Sequence, residues 1–527
     1  MVGNGDAGDR SPLDAQRDPR LVGTLVLLAT IGAVAVGRGI RIGFWQDEGA
    51  TASVSARTFG QLADVLGNVD AGIAGYLLGT NVWSRAFGRS EIALRAPSLV
   101  AAAAAVVAGG LLASRLSKPA AGFVAGGVLT LHPSLLPFYG LEARPYAIAA
   151  ALVAAAGLAA YRRSTIGTGA GLWAVAASLA IAAHAIALLP LLPQVLWLAR
   201  KRRGETTRGT IMGLARALAL PAVVAVTMWV RVVGQGTAQS WIPALSVQGL
   251  RQAALDTIGI GTAVVVAAIV LAFLLVEVRN EDPANDGAAA VGRVRAVDLV
   301  VLAGWAGGPL VVVVAISVVD APLLVTRYLL PSAVACAVLT GIAASAAVDA
   351  VGRWRPRTMG STLAGLVLLL GIAGGALLDV RGGALRPAPK PDDLRAAADW
   401  ILAEQQPTDV LLYMPGWAEF GLRWYLVERQ PVLPGPVDVV ADLSTTAIDV
   451  GHHRTPATNP DAAVERLTRA DRAWIAGYPD EALQPGDDLQ FALAATVRSC
   501  WTLLEQRSFG LVVELWAAPP SGPRDCD

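Results

Sequence analysis

Apolar runs alternate with short polar segments over the first 380 residues, and beyond that point the alternation stops. The runs fall at 21–40, 96–113, 119–137, 145–161, 168–183, 185–199, 211–233, 255–276, 298–318, 328–350 and 359–379. A helix that crosses a bilayer needs about 20 mostly apolar residues, so the pattern predicts eleven spans. Between Arg163 and Arg200 one apolar stretch joins two basic loops that belong on the same side. It must cross an even number of times, and it divides at His184 into two short helices.

Residues 392–527 carry a different pattern. Helix-like stretches at 392–405, 461–470 and 487–505 alternate with strand-like runs at 409–414, 473–477 and 511–517, which predicts a small α/β domain. The fold class expected is therefore mainly α, a polytopic membrane protein with a carboxy-terminal α/β domain.

Arg and Lys set the orientation, because short cytoplasmic loops retain them. Arg17 and Arg20, Arg115 and Lys118, Arg162 and Arg163, Arg200 to Arg203, Arg293 and Arg295, and Arg353, Arg355 and Arg357 share one face when every span is counted. Residues 1–20, which lack the apolar core of a removed signal, read as a disordered cytoplasmic tail. Residues 21–380 read as the transmembrane domain, with a long extracytoplasmic loop at 41–95. A Gly/Pro-rich linker at 381–391 leads to the 392–527 domain, placed outside the cell membrane.

Composition agrees: 54% of the 527 residues are apolar and 16% charged, against about 25% charged in soluble proteins. Basic and acidic residues number 42 and 41 and form no basic face, which argues against a nucleic-acid partner. Cys336 lies within a span. Cys500 and Cys526 share the outer domain, where an oxidising compartment permits them to pair or leaves two free thiols. No GxGxxG, Walker A loop or Cys/His metal spacing occurs, so a nucleotide-activated donor is not expected. No cofactor is required; a divalent metal is compatible with the reading, but no residue pattern points to one.

Candidate chemistry lies where polar residues sit at outer helix ends without a need from the helix itself. Asp47 and Glu48 open the 41–95 loop. Asp47 has the character of a general base for an acceptor hydroxyl; an N-terminal helix cap is the plainer reading of the same pair. Adjacent residues do not share a helix face, so Glu48 points elsewhere. Asp70 lies further along the loop, where caps and ion pairs explain it, Glu91 and Arg95 equally well. Glu142, Arg144 and Tyr146 flank Pro145 at the next outer turn. Arg144 is able to hold a phosphate bidentately and Glu142 to fix it or a sugar hydroxyl, while snorkelling also accounts for the arginine. His184 stands at a hairpin apex, Gln239 and Trp241 in another outer loop. Arg327, followed by Tyr328, begins a span on the outer face, against the basic-inside trend, and is the stronger phosphate candidate.

Taken together, Trp45-Gln46-Asp47-Glu48, the segment Glu91 to Ser98, the segment Glu142 to Tyr146 and Arg327-Tyr328-Leu329 resemble the GT-C membrane glycosyltransferases. The likeness is to the branch of protein O-mannosyltransferases, lipid A aminoarabinose transferases and actinobacterial polyprenyl-phosphate-mannose-dependent mannosyltransferases. It covers the first ten spans. It implies a GT-C fold and a polyprenyl-phosphate sugar donor, with mannose favoured. It also implies Asp47 as catalytic carboxylate and Arg144 and Arg327 at the lipid phosphate. Glu48, Asp70, Glu142, Tyr146, His184, Gln239, Trp241 and Tyr328 are expected to contact substrate. Transfer would invert configuration at the anomeric carbon and end on a cell-envelope glycan, lipoglycan or protein acceptor. Where many relatives place His and Pro after the residue matching Asp70, this chain has Ala71-Gly72-Ile73. Two other readings remain: a transporter or flippase of lipid-linked sugars, which calls for mid-span charges and broken, repeated halves, and a non-catalytic scaffold binding envelope partners through 392–527.

Overall fold

In the computed structural model the described residues are 19–202, 204–235, 242–259, 294–319, 322–352, 370–371, 373–429, 435–444, 455–478 and 487–519. Among them, five helices are long and apolar enough to cross a membrane: Pro19–Arg41, Glu91–Leu116, Thr207–Gly234, Ala296–Val319 and Thr326–Val348. Their outward faces are apolar as well. Val223, Val226, Trp229, Val230 and Val233 are all exposed on the Thr207–Gly234 helix, an arrangement that water penalises and lipid does not. The protein is a membrane protein with a mainly helical body.

Small residues let these helices approach closely, as membrane packing favours. Gly110 and Gly126 leave room for the fully buried Leu25, and a side chain at either position would overlap it. Helix Tyr146–Ile166 runs through the middle of the bundle, burying Ala150, Val153 and Ala154. Other expected spans depart from simple rods. The 119–137 run forms helix Pro119–Thr130 and then a turn. The 185–199 run breaks into a 3-10 turn at Ala185–Ala187 and short helices at Leu188–Leu191 and Val195–Ala199. Pro190 and Pro193 lie in this stretch, and proline supplies no N–H to continue a helix. Most of the 255–276 and 359–379 runs lies outside the described residues.

The carboxy-terminal domain is built on strands β1 (Val410–Met414), β2 (Val437–Asp438), β3 (Arg472–Gly477), β4 (Thr502–Phe509) and β5 (Leu511–Ala517). Their order is β2-β1-β3-β5-β4. β1 is parallel to both β2 and β3, and β5 lies antiparallel between β3 and β4. All five residues of β1 are buried, because both faces of the sheet are covered. Leu412, Met414 and Ile475 pack on helices Pro460–Thr468 and Asp488–Cys500 through Leu467, Leu493 and Val497. On the other face Leu411, Tyr413 and Trp474 share a core with Trp400, Ile401 and Leu422, and with Phe44, Ala52, Leu94 and Ala143 of the membrane body.

One expectation is corrected here. The helix expected over 487–505 ends at Cys500, and Thr502–Phe509 is strand β4. Charged Glu505 and Arg507 suit the exposed edge that β4 forms, and this polarity hid a strand whose apolar residues do not alternate. Cys500 is disulfide-bonded and Cys336 is a free thiol; Cys526 lies outside the described residues.

Candidate active site

After the first helix the backbone runs extended to Trp45, which caps helix Gln46–Ser55. Glu48, three residues in, reaches back so that its Oε2 accepts from the Trp45 N–H at 3.4 Å. This is half of a capping box. Asp47 and Glu48 both occupy the first turn, where the helix dipole favours carboxylates, but their side chains diverge as neighbouring helical positions must.

Glu48 turns inward. Arg95 grips it with two bonds, Nε to Oε1 at 2.7 Å and Nη2 to Oε2 at 2.5 Å, and both side chains are fully buried. The Ala143 N–H also donates to Glu48 Oε1 at 2.7 Å. Arg95 spends its other hydrogens on the carbonyls of Ile40, Ile42 and Gly43. Burial opposes ionisation of Glu48, but the charge of Arg95, the more distant Lys390 and the bonds from Arg95 and Ala143 override it and hold the carboxyl below its ordinary range. Glu48, expected at the substrate, instead has both oxygens engaged inside the protein, where they tie the first loop to the second.

Asp47 turns outward and meets the two arginines singled out in the sequence. Arg327 Nη1 lies 2.8 Å from its Oδ2 and Arg144 Nη2 3.8 Å from the same oxygen. Arg144 also donates to the Asp47 carbonyl at 3.4 Å and approaches Thr51 Oγ1 at 3.5 Å. Of the three side chains Asp47 is the most accessible, at 28% against 12% for Arg144 and 16% for Arg327. An aromatic wall backs the arginines. Arg327 stacks over Tyr146 at 5.6 Å, and the His184 ring lies 5.4 Å from Tyr146 and 4.9 Å from Tyr328.

Glu142 is wholly buried, and neither carboxylate oxygen has a hydrogen-bond partner among the described residues. Burial raises its pKa; Lys390 acts against this and Glu48 adds to it, leaving the carboxyl pushed up to about 7. A buried acceptor without a partner is uncommon in folded proteins. Lys390 lies over the Phe138 ring at 4.3 Å and donates to the Phe138 carbonyl at 3.3 Å. It was not expected, although it is one of only three lysines in the chain and sits between two prolines. The 381–391 segment is held against the body by Lys390 and by the Ala388 N–H, which donates to Pro137 at 3.0 Å.

Asp70 adopts a left-handed backbone with φ of 59°, a conformation that Asp tolerates better than most residues, and its charge acts on Arg144. Gln235 pins this corner by accepting from Ala71 N–H and donating to the Leu66 carbonyl, both at 3.0 Å. Gln239 and Trp241 lie outside the described residues. Among the described residues no group of three or more His, Cys, Asp or Glu is placed to hold a metal ion.

The carboxy-terminal domain packs directly on the helix that carries Asp47. Gly49 faces Gly421 so closely that a Cβ on Gly49 would lie 2.2 Å from the Gly421 Cα. The Tyr425 hydroxyl accepts from the Phe44 N–H at 2.8 Å and donates to Glu91 at 2.8 Å, while Arg395 pairs with the same carboxylate at 2.5 Å. None of these contacts was predicted, because each joins positions more than 300 residues apart.

No family model matches the sequence, and no curated protein sequence matches it. Solved structures do. ArnT from Cupriavidus metallidurans bound to undecaprenyl phosphate superposes with a TM-score of 0.54 at 14% identity, covering 95% of this chain and 98% of that one. The apo state of the same protein gives 0.52 at 15% identity, with 94% and 98% covered. The likeness spans the membrane body and the carboxy-terminal domain, and the chain has the fold of this ArnT.

Proposed function

We propose that this protein is an integral membrane glycosyltransferase that moves a sugar from a polyprenyl phosphate to a hydroxyl of a cell-envelope acceptor, at the outer face of the cell membrane. The observation that carries the reading is the single carboxylate of Asp47 facing two guanidinium groups, Arg327 and Arg144. That ArnT of the same fold is seen with undecaprenyl phosphate supports a lipid phosphate as the anion those arginines receive.

The ion pair has a mechanistic consequence. In the absence of donor the Asp47 carboxylate is turned to the arginines, with Oδ2 2.8 Å from Arg327 and 3.8 Å from Arg144. A donor phosphate, with more acceptor oxygens and more charge, competes for Arg327 and Arg144 and frees Asp47 as it binds. Asp47 then takes the proton of the acceptor hydroxyl while the oxygen attacks the anomeric carbon from the face opposite the phosphate. The bond from that carbon to the phosphate oxygen breaks, its electron pair leaves with the polyprenyl phosphate, and configuration inverts. One preorganised donor to such a leaving group contributes about 3 kcal/mol. Glu142, whose buried oxygens have no partner among the described residues, accepts hydrogen bonds from hydroxyls of the donor sugar once the donor is in place. Tyr146, Tyr328 and His184 shape the wall beneath it, and Asp70 tunes Arg144. Mannose is the favoured sugar; a glycan, a lipoglycan or a protein is the acceptor. The amino terminus is cytoplasmic and the carboxy-terminal domain lies outside.

The direct test is Asp47→Asn in detergent with a polyprenyl phosphomannose donor. Transfer should be abolished while the variant still binds the lipid donor, and turnover at the wild-type rate would refute the assignment.

A further inference from the structure

In the carboxy-terminal domain β1 leads to β2 on one side and, later, β3 returns on the other. The chain therefore switches direction between the carboxyl ends of β1 and β3, and in open α/β sheets ligands bind in the crevice at such a point. Two aromatic residues occupy it. Trp417 follows β1 by three residues and Tyr478 directly follows β3. Their rings stack with centroids 4.9 Å apart and an interplanar angle of 23°, and both are half-buried. Gly477 permits the approach, since a Cβ there would lie 1.7 Å from the Met414 carbonyl oxygen.

Hydrogen bonds connect the two aromatic residues to the helix that carries Asp47. Tyr478 donates its hydroxyl to Asp392 at 2.7 Å. The Asp392 carboxylate in turn accepts from the backbone N–H of Gln46, the residue before Asp47. The Gln46 side chain donates to the Trp417 carbonyl at 3.0 Å. A three-link chain of hydrogen bonds thus joins the stacked rings to the first turn of the helix that carries the candidate base. Trp417 belongs to neither core of the sheet, and Tyr478 packs at the margin of one.

We propose that Trp417 and Tyr478 form a pyranose-binding platform that holds the acceptor glycan, so that the carboxy-terminal domain supplies the acceptor subsite and the membrane body the donor subsite. The apolar C–H face of a pyranose lies against an aromatic ring, a surface that is large, rigid and amphipathic. Its hydroxyls find the half-buried side chain of Gln46 beside the rings. The proposal rests on the transferase reading, and it commits to a carbohydrate acceptor over a polypeptide one.

The test uses the full-length chain in lipid nanodiscs and saturation-transfer NMR, with methyl α-D-mannopyranoside, methyl β-D-glucopyranoside and methyl β-D-galactopyranoside as separate probes. At least one probe should receive saturation at its ring protons. Trp417→Leu should cut this at least fivefold, whereas Trp417→Phe, which keeps a ring, should retain most of it. Undiminished binding in Trp417→Leu, equal loss in both variants, or no probe bound above empty nanodiscs would overturn the platform. Turnover by Asp47→Asn would refute the transferase reading through a separate measurement, so the two failures are distinguishable.

Discussion

Arg327 reaches back 280 residues along the chain to set its Nη1 2.8 Å from Asp47 Oδ2. If the donor phosphate displaces this pair, Arg327→Gln removes both the anchor and the restraint. Transfer at low donor concentration should fall by about a hundredfold, the equivalent of one preorganised donor. Steady-state kinetics with varied polyprenyl phosphosugar should show the loss in kcat/KM. An unchanged kcat/KM would mean that the lipid phosphate binds elsewhere.

Glu142 predicts a pH dependence of stability. Its folded-state pKa of about 7 lies above the ordinary value of 4.5, so between these values the folded protein holds more protons than the unfolded chain. Stability contributed by the protonated form is present at low pH and declines as pH rises through this window. At about 1.4 kcal/mol per unit the whole effect is on the order of 3 kcal/mol. Glu142→Gln, which cannot ionise, should therefore gain on the wild type between pH 5 and pH 8. Thermal unfolding of both proteins at the two pH values checks this, and a constant difference would contradict it.

The Glu48–Arg95 pair should matter for folding more than for binding. Breaking a fully buried pair leaves one charge uncompensated, at a cost of about 3–5 kcal/mol. Arg95→Met should lower the unfolding temperature sharply, and Arg95→Met combined with Glu48→Leu should recover part of the loss. If the double variant were no better than the single one, the bonds from Arg95 to the carbonyls of Ile40, Ile42 and Gly43 would carry the effect instead.

Orientation is checked at Glu465, which is exposed on the carboxy-terminal domain. A Glu465→Cys protein should react with a membrane-impermeant thiol reagent in intact cells, against a wild-type background that does not. Protection until the cells are lysed would place this domain in the cytoplasm and reverse the proposed topology.

Much of the architecture was legible because a bilayer imposes length and apolarity on whatever crosses it, and such runs survive in a sequence without any alignment. Strands β1, β3 and β5 were legible for a related reason, since segments buried on both faces read as short apolar runs. β4 was not, because an exposed edge tolerates the charges that also decorate helices. At the candidate site, Asp47, Arg144 and Arg327 stood out as charged residues at outer helix ends, although a helix cap accounted for the first and snorkelling for the second equally well. Their meeting at one oxygen could not be read, since pairings across hundreds of residues leave no periodicity. For Glu48 the chemistry was visible and the direction incomplete: two adjacent acids on a helix face different ways, and the sequence does not say that the second turns into Arg95. Trp417 and Tyr478 carried no signal beyond aromatic character until the strand order brought them together.

The contact of Gly49 with Gly421 is made by bare backbone on both sides. At that point no rotamer separates the two backbones, while beside it Tyr425 and Arg395 reach across to Phe44 and Glu91, so backbone and side chains together fasten the carboxy-terminal domain to the helix that carries Asp47. If the carboxy-terminal domain holds the acceptor as proposed, this joint sets the distance at which the acceptor meets the carboxylate.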